Sequence, residues 1–235
     1  MRHRFTIRVA LAAVVLLALF FPPDALAHNV SKRDAAFVVA NQGRAIAAFL
    51  YLGAKHMVTG YDHLLFLVGV IFFLYRLKDV FLYVSLFTIG HSTTLLLGVL
   101  GGIHANSYIV DAIIGFSVVY KAFDNMDGFK RLFGFQPNTK IAVLLFGLFH
   151  GFGLATKLQE FSLAQNGLVA NIVSFNVGVE IGQVAFVLLV VLLERSFRQL
   201  EIRWPRWVEM VPGYAVGSLG AFWTIQRLVL MFEGS

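Results

Sequence analysis

Five apolar stretches, at about 79–101, 108–126, 140–157, 168–193 and 208–231, divide most of the chain into segments each long enough to cross a lipid bilayer. One soluble core cannot absorb them: 58% of the 235 residues are hydrophobic and only 14% are charged, where a soluble domain carries about 25% charged. In lipid every backbone polar group must be satisfied within the chain, so the expected fold class is all-α, a polytopic membrane helix bundle. The same composition excludes disorder, collagen-like repeats and a charged nucleic-acid module. The absence of Cys removes disulfides, thiolate metal sites and Cys nucleophiles, leaving His, Asp, Glu, Asn and Met for any metal chemistry.

The unit at 44–75 differs from the other five. As one helix its 32 residues would rise about 48 Å, too much for one upright span, and Thr59-Gly60 interrupts it just before Tyr61-Asp62-His63. The expectation is a broken first element: an outer or re-entrant helix to about Met57, then a span from about Gly60 to Tyr75, making about six spans in all. Ahead of it, Arg2, Arg4 and Arg8 precede an apolar run at 9–21, and Ala25 and Ala27 follow in an A-x-A arrangement. This pattern predicts a cleaved secretory signal peptide at 1–27, a short extracytoplasmic segment at 28–43 and a transmembrane domain at 44–235. Basic residues gather in alternate loops: Arg76 and Lys78, then Lys130, Arg131 and Lys140, then Arg195, Arg198, Arg203 and Arg206. By the positive-inside rule these loops are cytoplasmic, which puts both mature ends on the outer side. The formal charge of +6 is therefore a topology signal. The expected partners are the bilayer and a metal ion, with no nucleic acid; a homo-oligomer is left open.

Ionisable side chains are costly in a bilayer and mark ion paths, proton relays or sites. At 1.5 Å per residue, Asp62, His63, His91, Asp111, His150 and Glu180 all fall between the midplane and the outer surface. Asn176, Glu180 and Gln183 share one stripe of their span, and Thr88 lies on the side of His91. A lone intramembrane His is commonly an interhelical hydrogen-bonding group, and Asn176 and Gln183 read equally well as interhelical glue. As a set, the histidines and acids point to a cation. Imidazole and carboxylate without thiolate suit nickel, cobalt or zinc. The candidate ligands are His56, Asp62, His63, His91, Asp111, His150 and Glu180, with Ser92, Asn176 and Gln183 supporting them or lining a path. LFTIGHS at 86–92 is similar to LFGLFHG at 145–151, which reads either as a parallel internal repeat or as the common composition of Leu/Phe/Gly-rich helices.

Two functions fit these residues. One is a secondary permease that captures a divalent transition-metal ion at His56, Asp62 and His63 and passes it inward, since no nucleotide-binding motif is present. The alternative is an intramembrane zinc-dependent hydrolase acting on a lipid or membrane-embedded substrate, with Asp62 or Glu180 as general base. Polar groups continuing beyond the cluster would favour the permease; a closed cavity would favour the enzyme.

HMVTGYDHLLFL at 56–67, HSTTL at 91–95, HGFGLA at 150–155 and FNVGVEIGQ at 175–183 together resemble the HupE/UreJ family of bacterial membrane proteins. The resemblance runs from about residue 44 to 195. It implies a polytopic inner-membrane protein associated with nickel or cobalt uptake for hydrogenase and urease. It also implies that the His-x5-Asp-His string is a metal motif and carries over to His56, Asp62, His63, His91, His150 and Glu180, with Asp111 at a place where an acid is usual. The second histidine motif of hydrogenase-linked members, H-G-x-A-H-G-x-E, is only partly present, because His150-Gly151 has no neighbouring second His.

Overall fold

A computed structural model describes residues 36–37, 40, 43–71, 76–159, 166–198 and 206–233. The expected signal peptide and most of the 28–43 segment lie outside the described residues. Among those residues there is no strand, and eight helices follow one another: α1 (Ile46–Thr59), α2 (Tyr61–Ile71), α3 (Leu77–Gly101), α4 (Ser107–Asn125), α5 (Gly128–Phe133), α6 (Thr139–Gln159), α7 (Leu168–Arg198) and α8 (Arg206–Glu233). Four are long and apolar enough to cross a membrane: α3, α6, the Leu168–Leu193 part of α7 and the Gly213–Glu233 part of α8. Helix α4, 19 residues long, carries Asp111, Lys121 and Asp124. The short helix α5, ended by Gly134 in the left-handed conformation, was not legible in the sequence.

The first element is broken between α1 and α2, which at 14 and 11 residues are each shorter than a bilayer core. Gly60 is extended (φ −78°, ψ 92°). Its N–H donates to the His56 carbonyl at 2.8 Å and its carbonyl accepts the Leu64 N–H at 3.0 Å, so the turn is made without stranding the glycine's own polar groups.

Helix α7 shows what solvent the bundle is built for. Its outer face is apolar, with Val169, Val173, Val177, Ile181, Val184, Leu188 and Leu192 exposed, while Asn171, Ser174, Asn176 and Gln183 are buried. That polarity is the reverse of a water-soluble helix and places the apolar face toward lipid tails.

Close glycine contacts join six of the helices in pairs. Helices α1 and α7 run parallel: Gly53 lies against the Phe175 carbonyl, Gly178 against the Leu50 carbonyl and Gly182 against Ala54. Helices α3 and α6 are also parallel, with a Cβ on Gly90 falling 2.5 Å from the Leu144 carbonyl oxygen and one on Gly147 falling 2.5 Å from that of Phe87. Helices α4 and α8 are antiparallel, through Gly115 against Gly220 and Thr224. Without side chains at these positions the backbones approach closely enough for packing to hold them in lipid, where the hydrophobic effect between helices is absent.

Helix α2 lies among these pairs. Asp62, His63, Leu65, Phe66, Leu67, Val68, Val70 and Ile71 are all buried, and α2 supplies residues to both hydrophobic clusters of the core. An eleven-residue helix that is apolar nearly all round is thus the centre of the bundle rather than a lipid-facing span.

Asp111 finds a partner that the sequence reading missed. Arg227 of α8 places Nε 3.6 Å from Asp111 Oδ2, across the α4/α8 contact. Removing the guanidinium from beside a buried carboxylate costs about 1–3 kcal/mol, so Arg227→Met should lower the unfolding temperature of the purified protein. Adding Asp111→Asn should restore part of the loss. If the double variant is no better than the single, the pair does not supply the coupling.

Candidate functional site

The break at Gly60 brings two helix ends together at the histidines. His56 is in the last turn of α1, where the carbonyl end of a helix favours positive charge, and Asp62 is in the first turn of α2, where the amide end favours negative charge. A Cβ at Gly60 would stand 3.2 Å from His63 Nδ1 and 3.3 Å from Asp62 Oδ1, so this pair folds back over the glycine.

His63 is the common neighbour of the other three. Its ring centre is 5.2 Å from that of His56 on α1, 5.4 Å from His91 on α3 and 4.8 Å from His150 on α6. His63, His91 and His150 are at most 1% exposed. Two imidazoles bound to one ion at the usual metal–nitrogen distance and a near-tetrahedral angle have ring centres about 5 Å apart. Each pair with His63 matches that spacing. Among the described residues, no group of three or more His, Asp or Glu side chains is already set in ligating arrangement.

Two ring nitrogens are held in the way metal-binding histidines usually are. His150 Nδ1 donates to the Phe146 carbonyl at 2.7 Å, and His63 Nδ1 donates to Asp62 Oδ1 at 3.2 Å. In a neutral ring this leaves the lone pair on Nε2, which is the tautomer a cation needs. The structure thereby draws Asp62 toward orienting His63.

Glu180 and its stripe face α3. Thr88 Oγ1 donates to Glu180 Oε2 at 3.1 Å and Ser92 Oγ to Oε1 at 3.4 Å. Gln183 Nε2 donates to Thr88 Oγ1 at 2.9 Å and to the Val84 carbonyl at 3.3 Å. A polar ladder therefore runs down the α3/α7 contact beside His91. Asn176 is buried at the same helix face, and among the described residues neither end of its amide has a hydrogen-bond partner.

Three phenylalanines form a layer one turn beyond the histidines. Phe66 follows His63 on α2, Phe87 precedes His91 on α3 and Phe146 precedes His150 on α6. Phe66 lies 5.4 Å from Phe87 and 5.6 Å from Phe146, and Phe87 stands 5.1 Å from His150. The similarity between 86–92 and 145–151 has a physical content here, because each copy supplies one Phe and one His to the same layers from a parallel helix.

Beyond the phenylalanines the chain is polar again. Tyr120 packs 5.2 Å from Phe146. Lys121 Nζ donates to Asp124 Oδ2 at 2.6 Å, with side chains only 8% and 4% exposed. Gln136 donates to the other Asp124 oxygen, and Asn125 Nδ2 donates to the Gly69 carbonyl at 2.8 Å.

No curated protein and no solved structure matches this chain. The family model described as HupE / UreJ protein matches residues 32–227. With the four histidines on α1, α2, α3 and α6 inside that match, the chain belongs to the HupE / UreJ protein family.

Proposed function

We propose that the protein is a secondary permease for a divalent transition-metal ion, nickel or cobalt. The observation that carries this reading is the set of three histidines, one from each of three other helices, packed around His63. The ion enters from the outer side at His56 and His63, with Asp62 orienting His63, and passes to His91 and His150. Sharing His63 between the outer and inner pairs lets the ion exchange one ligand at a time, so it is never stripped of all its donors at once. Glu180 supplies a carboxyl group held by Thr88 and by Ser92, which is next to His91 in the α3 sequence, with Gln183 on the same ladder and Asn176 on the same face of α7. Asp111, engaged with Arg227, contributes to the same outer half of the bundle.

The packing directions agree with an alternating topology, and the basic loops are what put both ends on the periplasmic side. Parallel α1 and α7, parallel α3 and α6, and antiparallel α4 and α8 are what that scheme requires. The polar residues past the phenylalanine layer favour a permease over a zinc hydrolase, because an enzyme pocket has no need of a continuation inward. The family association with nickel and cobalt handling supports the choice of ion.

Uptake of cobalt into proteoliposomes tests this directly. Wild-type protein should fill the vesicles, and Glu180→Ala should slow filling by about tenfold, the equivalent of about 1.4 kcal/mol at the transfer step. Cobalt that binds and never enters the lumen would instead support the hydrolase reading.

A further inference from the structure

We infer that Asp124 is a second cation station, on the far side of the phenylalanine layer from the histidines, and that the Lys121 ammonium holds its place in this structure. This rests on the permease reading. Three observations carry it. The pair is at the opposite end of α2 from His63: the Lys121 Cγ lies 3.1 Å from where a Cβ on Gly69 would be, and Gly69 is six residues past His63, about 9 Å along the helix. Both side chains are nearly buried, with the ammonium 2.6 Å from Asp124 Oδ2. The other carboxylate oxygen is taken by Gln136, so Asp124 is already ringed by exchangeable donors.

A buried ion pair gives little stability that an apolar pair would not, so stability alone does not account for this one. As a placeholder it has a clear use. A bare carboxylate past the barrier would hold any passing cation, whereas one covered by a tethered ammonium accepts a dication only by exchange. The arriving ion repels the ammonium, and the flexible lysine stem lets it swing aside and return. Oxygen donors bind nickel and cobalt less firmly than imidazoles do, which suits a station for release after a station for capture.

The experiment uses full-length protein with cobalt(II) as the only probe, measuring bound metal in nanodiscs and uptake in proteoliposomes. Lys121→Met uncovers Asp124 and should bind about one additional cobalt ion per chain, which Lys121→Met/Asp124→Asn should lose. Lys121→Arg keeps the charge and grips the carboxylate with two N–H groups, so it should leave the histidine site intact and slow uptake by about tenfold. His63→Ala separates the two ideas, since it removes the capture site alone. If His63→Ala abolishes binding while Lys121→Met gains no cobalt and Lys121→Arg transports at the wild-type rate, the second station is wrong and the permease reading stands. If His63→Ala leaves binding unchanged, the capture site itself fails. Should Lys121→Met not fold, the Lys121→Arg uptake rate decides the matter.

Discussion

His63→Ala should reduce the affinity of the purified protein for nickel or cobalt by more than about 100-fold, since loss of an outer-shell partner alone costs about 10–100-fold and His63 packs against each of the other three rings. His56, His91 and His150 each touch His63, so replacing any one of those three removes one contact with His63 while replacing His63 removes all three. The ordering is the discriminating result: His63→Ala should be the most damaging of the four alanine variants in an equilibrium binding titration. Equal losses at all four positions would point to a site with a common centre instead of a shared ring. The variant also leaves a void beside Phe66 and Phe87, so its unfolding temperature should be recorded alongside.

Gly151→Ala should be among the most damaging single-methyl changes in the bundle, with those at Gly53 and Gly178. A Cβ there would run into the carbonyl oxygen of His91 and the hydroxyl of Thr94, and Thr94 Oγ1 already donates to the Leu148 carbonyl at 2.6 Å. Neither obstacle is the loose end of a flexible side chain, so α3 and α6 must separate, at about 1–3 kcal/mol for overpacking of this kind. Separation carries His91 away from His63 and His150, and metal affinity should fall together with thermal stability. Gly101→Ala is the control: its Cβ would meet only Ile103, at 3.5 Å, and should leave both properties unchanged. Equal stability of the two variants in a thermal melt would show that the glycine contacts do not hold α3 to α6.

The distinction between what was and was not legible in the sequence follows the range of the forces involved. The stretches at 79–101, 140–157, 168–193 and 208–231 reappear within a few residues as α3, α6 and the apolar parts of α7 and α8, because a bilayer-spanning helix is specified by local composition. The break before Tyr61 was visible for the same reason: Thr59-Gly60 weakens a helix locally. The burial of α2 was not visible, since apolar residues all round a helix serve equally for lipid and for a protein core. Arg227 was also missed. It sits in the last span, 116 positions from Asp111 in the chain, and only the antiparallel α4/α8 contact brings them together. The Lys121–Asp124 pair lay in view at i, i+3, but nothing local says that it underlies the phenylalanine layer. The depth of His63, His91 and His150 could be read from residue counts; the hub arrangement around His63 depends on how four helices rotate against one another.

The central claim is that one dication is bound by imidazoles gathered at His63, and X-ray absorption spectroscopy of the cobalt- or nickel-loaded full-length protein tests it most directly. The account predicts a first shell with at least two nitrogen donors at about 2.0–2.1 Å, accompanied by the outer-ring scattering of imidazole, and loss of that scattering in His63→Ala. A first shell made only of oxygen, with no imidazole scattering in the wild-type protein, would contradict it.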